Sequence, residues 1–189
     1  GDYVLEIRPY DKYETVASTV DRSKQPQVGE SKQVSFPQIQ QTTLKNGLKL
    51  YVIQRKSVPV VNMQLMLDAG YAADKSGIPG LSTLAMNMLK EGTPTRSSLK
   101  ISDELADLGA SLYTYSDLDH SYVTMNSLKW NLDKSLNIFT DVVLNPSFPQ
   151  KDFERLKKEQ LLNIKQEQAQ PFAMGLRILP KLLYGEGHP

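Results

Sequence analysis

The sequence predicts an α+β fold, a mainly antiparallel β-sheet with α-helices packed on one face. Two observations predict it. Extended segments come in hairpin pairs, and helical segments come grouped in runs. At 189 residues the chain can bury one sizeable core and is near the usual size of a single domain.

Taken in order, Tyr3-Val4-Leu5-Glu6-Ile7-Arg8 alternates and stops at Pro9, which reads as a short strand ended by a residue that cannot extend a ladder. Residues 11–36 are rich in Lys, Gln, Ser, Val and Gly without a sustained period, as expected of a linker. Residues 1–40 therefore read as the strand and linker of a preceding domain, and 41–189 as the compact domain. From Thr42 a strand enters Lys45-Asn46-Gly47, an Asn-Gly turn tolerant of positive φ, and 48–53 returns as its hairpin partner. Residues 58–67 form a longer strand with Pro59 near its start, closed by Asp68-Ala69-Gly70.

Apolar residues at 81, 84, 85, 88 and 89 give 80–89 a helical period on a mostly buried helix. Ser98 is the expected cap of a second helix over 99–108, which Gly109 ends. Segments 110–116 and 121–128 read as paired strands joined by Asp117-Leu118-Asp119-His120. Leu132, Leu136, Phe139, Val143 and Leu144 mark a third helix stopped by Asn145-Pro146. A charged amphipathic helix over 152–168 and a fifth from Pro171 to about Leu183 complete the run.

The charge balance is 22 basic against 21 acidic residues, so nothing advertises nucleic acid or an anionic membrane as a partner. No apolar stretch approaches the roughly 20 residues of a membrane span, and the start shows no secretory pattern, so the piece reads as soluble. Gly1 reads as the remnant of a cleaved tag. The chain stops at Gly187-His188-Pro189 without a closing element, so it reads as an excised, C-terminally truncated piece whose signal peptide could have stood upstream.

With no cysteine, disulfides, thiolate zinc sites and cysteine nucleophiles are all excluded. His120 and His188 are the only histidines, so a zinc site would need one of them or an all-carboxylate cage. Asp117, Asp119 and His120 are the only acid–histidine cluster, but Asp-x-Asp-His between strands is ordinarily turn chemistry. The mixed charges along 152–168 read as a solvated face, not as acid–base machinery.

Three stretches then line up with one known family. Leu44-Lys45-Asn46-Gly47-Leu48-Lys49-Leu50 resembles an opening L-x-N-G-L-x-V turn. Residues 80–93 have the frame of G-L-A-H-F-L-E-H-M…G-T, and Asn163-Ile164 with Pro171 resembles E-I…D-x-P. The frame is that of the insulinase/pitrilysin zinc peptidases, whose resemblance implies the sandwich shared with LuxS-like metalloenzymes. In that family an inverted H-x-x-E-H motif places two histidines on one helix face to bind zinc, with a glutamate to handle the proton of the attacking water. A second glutamate on a later helix completes the ligand set.

Carried over by this resemblance, the first histidine falls on Thr83, the glutamate on Met86, the second histidine on Asn87 and the distant glutamate on Asn163. None can do the family's work: Met86 has no proton to move, Thr83 and Asn87 bind zinc poorly, and Asn163 lacks the charge. The resemblance thus implies a catalytically inactive domain with no cofactor of its own, and zinc in an active partner domain of the same family on the same chain or a second subunit. It also implies a peptide substrate. Tyr113-Thr114-Tyr115-Ser116 occupies the stretch that resembles N-A-x-T, which pairs with extended peptide and needs no catalytic group to do so.

The tail-like start implies the second unit of a tandem protein exported to a Gram-negative periplasm. The alternative is a structural module of the same fold with no part in proteolysis, as in the core subunits of respiratory complexes.

Overall fold

The computed structural model describes residues 23, 29, 35–76 and 78–185. The strand expected at 3–8, most of the linker and His188 lie outside the described residues. By internal contacts the chain divides into two units, 1–54 and 55–189.

In the first unit, β1 (Ile39–Thr43) pairs antiparallel with β2 (Lys49–Ile53), Thr43 facing Lys49. The hairpin is as expected but its turn is not a two-residue one. Leu44 N–H donates to the Leu48 carbonyl at 2.8 Å, and the Leu48 N–H is taken by Asn46 Oδ1 at 3.1 Å. Only Gly47 in this loop takes a positive φ, 87°, so Asn46 serves through its side chain and not through a left-handed backbone.

The second unit is built on a three-stranded antiparallel sheet of order β3-β5-β4, from β3 (Val60–Leu67), β4 (Ser111–Ser116) and β5 (Ser121–Leu128). Helices α1 (Leu81–Met88), α2 (Ser98–Asp107) and α3 (Leu132–Leu144) lie on one face, as the helical grouping predicts. The period-2 alternation of β5 decides which face that is: Ser121, Val123, Met125 and Ser127 are buried, and the residues between them are not.

Val123, Met125 and Leu112 meet Met86 from α1, Ile101 and Leu105 from α2, and Ile138, Phe139 and Val142 from α3 in one core. Each such side chain contributes about 1.5–3 kcal/mol by leaving water. Two hydroxyls cross the core as a matched pair. Ser127 Oγ donates to Ser135 Oγ at 2.8 Å, and Ser135 Oγ donates to the Asn131 carbonyl at 3.0 Å, so neither is left unpaired.

The opposite face of the sheet carries Val60, Asn62, Gln64 and Met66 of β3, the even-numbered residues of β5, and Ser111, Tyr113 and Tyr115 of β4. None of these is charged. Side-chain bonds run across the strands there, from Asn62 Nδ2 to Asn126 Oδ1 at 2.5 Å and from Gln64 Nε2 to Thr124 Oγ1 at 3.2 Å.

The cap of α2 is Ser97, one residue before the expected Ser98: its Oγ accepts from Lys100 N–H at 3.3 Å, and Ser98 begins the helix. Two adjacent serines make the sequence signal degenerate, and backbone conformation decides between them, since Ser97 alone is extended. Helix α4 (Gln150–Gln168) starts two residues earlier than expected and packs on α1. Helix α5 (Pro171–Tyr184) begins with proline at its first turn and packs on α4.

Candidate functional site

Helix α1 is the hub, because it packs on β4 and on α4 at once. Its start is set from outside. Gly80, the residue before the helix, takes φ 86° and offers no side chain to cap it. Asp74, in a 3-10 segment over Tyr71–Ser76, does so instead. It accepts from Gly80 N–H at 3.0 Å and from Ser82 N–H at 3.1 Å, and it also bonds the Ser82 hydroxyl. A nearly buried carboxylate at a helix N-terminus satisfies orphan donors and opposes the helix dipole. Sequence reasoning missed Asp74, since capping signals are sought at the helix start and not six residues before it.

The segment before Asp74 is clasped to the β4–β5 turn. N–H groups of Gly70, Tyr71 and Ala72 donate to the carbonyls of Asp119, Asp117 and Leu118, each at 2.9 Å. A Cβ on Gly70 would lie 2.4 Å from the backbone of Leu118 and Asp119, so only glycine fits. The turn itself is Asx chemistry, as its sequence suggests: Asp117 Oδ1 accepts from the N–H groups of Asp119 at 3.0 Å and His120 at 2.7 Å. The His120 backbone bond leads in holding the Asp117 carboxyl below its ordinary value, while burial first and then the Asp117 charge push the Tyr122 hydroxyl up.

Thr83, Met86 and Asn87 lie on α1 and Asn163 on α4, so the two helices bring both parts of the predicted set into one packing region. Their environments differ. Met86 is 6% exposed within the core cluster, Thr83 is half-buried, and Asn87 and Asn163 are exposed. Among the described residues Thr83, Asn87 and Asn163 make no side-chain hydrogen bond to one another. A hydroxyl, a thioether and two amides are a poor donor set for zinc, which takes thiolate, imidazole or carboxylate. The group that the family frame implies does not fit these residues. Among the described residues no three His, Cys, Asp or Glu side chains gather as a metal site elsewhere.

Within the three-stranded sheet β4 is an edge strand, paired with β5 on one side only. Tyr113 and Tyr115 stand on the outer face, 56% and 47% exposed, while Thr114 and Ser116 turn toward the helices. Among the described residues the Thr114 hydroxyl oxygen is buried without a hydrogen-bond partner, whereas Ser116 Oγ pairs with Ser121 Oγ at 3.0 Å. The predicted peptide stretch and the predicted motif helix are thus neighbours.

A second polar cluster, also missed from sequence, fixes the segment after α1. Arg96 donates from Nε to Glu104 at 2.8 Å, from Nη1 to Asp141 at 2.6 Å and from Nη2 to Asn137 at 2.9 Å. Thr93 Oγ1 donates to the same Asp141 oxygen at 2.8 Å. Burial alone would push the Asp141 carboxyl up; the hydrogen bonds from Thr93, Asn145, Arg96 and Thr95 outweigh it and hold the group at about 2. Arg155 of α4 reaches Glu91 at 2.7 Å and ties α4 to the end of the α1 segment.

The family model of insulinase, peptidase family M16, matches residues 50–185, which include this hub and both of its neighbours. The chain belongs to the insulinase family. A solved structure described as a peptidase M16 inactive domain from Pseudomonas fluorescens is similar, with TM-score 0.76 and 26% identity, over 80% of this chain and 37% of that one. An uncharacterized zinc protease of Rickettsia felis is 27% identical over 68% of this chain and 31% of its own length. The alpha subunit of the mitochondrial-processing peptidase of Solanum tuberosum is 32% identical over 67% of this chain and 24% of its own. The chain therefore spans between about a quarter and two-fifths of the relatives it matches. Among the described residues no helix is long and apolar enough to cross a membrane.

Proposed function

We propose that this chain is a non-catalytic insulinase-family domain that walls a proteolytic chamber beside an active, zinc-bearing domain of the family and holds peptide substrate along β4. The observation that carries this reading is the juxtaposition at α1. Among the described residues, a strand paired on one side only lies beside a helix whose motif positions, Thr83, Met86 and Asn87, offer no zinc ligand. An edge strand binds extended peptide through its backbone, so such a surface needs no metal and no acid or base. The likeness to a domain described as inactive supports the same reading, as does a relative described as one subunit of a processing peptidase.

The reading includes the domain limits expected from sequence, 41–189 preceded by the strand and linker of another domain, and the second place in a tandem protein. It also takes the periplasm as the compartment, although the relative from Solanum tuberosum is named for the mitochondrion.

The test is reconstitution. The 189-residue chain would be combined with a family member carrying an intact H-x-x-E-H motif and the pair assayed for complex formation and peptide cleavage. A stable complex that cleaves peptide faster than the active member alone is expected. A chain that neither joins nor stimulates any zinc-bearing sibling would overturn the reading and favour a purely structural module.

A further inference from the structure

The identity of the outward-facing residues adds a prediction about which peptides the β4 edge accepts. Resting on the peptide-binding reading above, we infer that Tyr113 and Tyr115 make this edge selective, favouring extended segments with aromatic or aliphatic side chains on the outer face and rejecting acidic ones.

A strand added to the free edge lies about 4.8 Å from β4, and its side chains alternate between the two faces. Those on the helix side fall beside Thr114 and Ser116, and those on the outer side fall beside the two tyrosines. Tyr115 is not free to swing aside. Its ring stacks on Tyr122 with centroids 4.7 Å apart and planes at 19°. The pair therefore forms a fixed platform at one end of the strand, with Tyr113 continuing it two residues away.

The electrostatics of this platform are one-sided. No Lys or Arg stands on the outer face of the sheet, although 23% of the chain is charged. The faces of phenol rings are electron-rich, and the turn that ends β4 adds Asp117 and Asp119. A carboxylate brought against this surface loses water and meets no lysine or arginine, which disfavours it. Aromatic or β-branched side chains instead form ordinary cross-strand pairs with the tyrosines.

Blocked octapeptides that alternate Thr with Tyr, Val or Glu test this directly. They would be titrated into the 189-residue chain at high salt, so that long-range charge is screened, and followed through the backbone amides of residues 112–116. The Tyr and Val peptides should shift these amides and bind at least about five-fold more tightly than the Glu peptide, the upper range of one cross-strand pair. The double variant Y113S, Y115S should lose the preference while still binding the Val peptide, and Y113F should keep it. Equal binding of all three peptides, or an unchanged preference in the double variant, would overturn the selectivity alone. Peptides that never perturb β4 would overturn both the selectivity and the edge-binding reading beneath it.

Discussion

Met86 and Asn87 are adjacent in the chain, yet they belong to different environments, and the difference makes a prediction. Met86 fills core space among Ile101, Leu105 and Val123, where a thioether adapts to an irregular gap. Glutamate there would be a buried carboxylate with no cation in the cluster, so Met86→Glu should cost about 3 kcal/mol or more in urea unfolding. Asn87→Ala, on the exposed side, should stay within about 0.5 kcal/mol of the parent. Asp141 predicts a pH dependence. Its folded value of about 2 lies below the ordinary 3.8, so its contribution is fully present above that ordinary value and is lost as pH falls toward 2. Allowing for its residual exposure, this is worth roughly 1–2 kcal/mol. Asp141→Asn should lower stability near neutral pH and flatten the acid limb of a stability-against-pH curve between those values.

At the scale of elements, α1 depends on groups outside itself. Removing the Asp74 carboxylate leaves the Gly80 and Ser82 N–H groups without their acceptor, so Asp74→Ala should cost about 1–2 kcal/mol. Amide hydrogen exchange should quicken first at Ser82 and Leu84, not in β5. Gly70→Ala should be worse, because its methyl would meet backbone that is itself hydrogen-bonded to the same segment. These dependencies mark where sequence stopped being legible. Strands β3 to β5 and helices α1 to α5 were readable because each has its own period of apolar residues and local stop signals. The Ser97 cap, the role of Asn46 and the Asp74 cap were not, since each is decided by backbone geometry or by a partner outside the local pattern. The Arg96–Asp141 pairing spans 45 residues and follows from no local pattern. The positions of Thr83, Met86, Asn87 and Asn163 came from the family frame, and only the structure revealed that Met86 alone among them is deeply buried.

For the whole molecule, the fold and the family are established, and the absence of catalysis in this chain is the claim on which the proposed function turns. The chain supplies a packed core, a capped hub helix and an edge strand, but at the four motif positions it supplies a hydroxyl, a thioether and two amides. Zinc chemistry needs ligands that hold the metal and lower the pKa of its water, and these groups do neither. The most direct measurement is elemental analysis of the purified 189-residue chain after equilibration with excess zinc and desalting. The account predicts less than about a tenth of an equivalent of retained metal, because these positions offer no ligand set, whereas a structural or catalytic zinc site would hold its ion far too tightly to lose it on desalting. Retention near one equivalent would contradict the account and direct attention to His120 and His188.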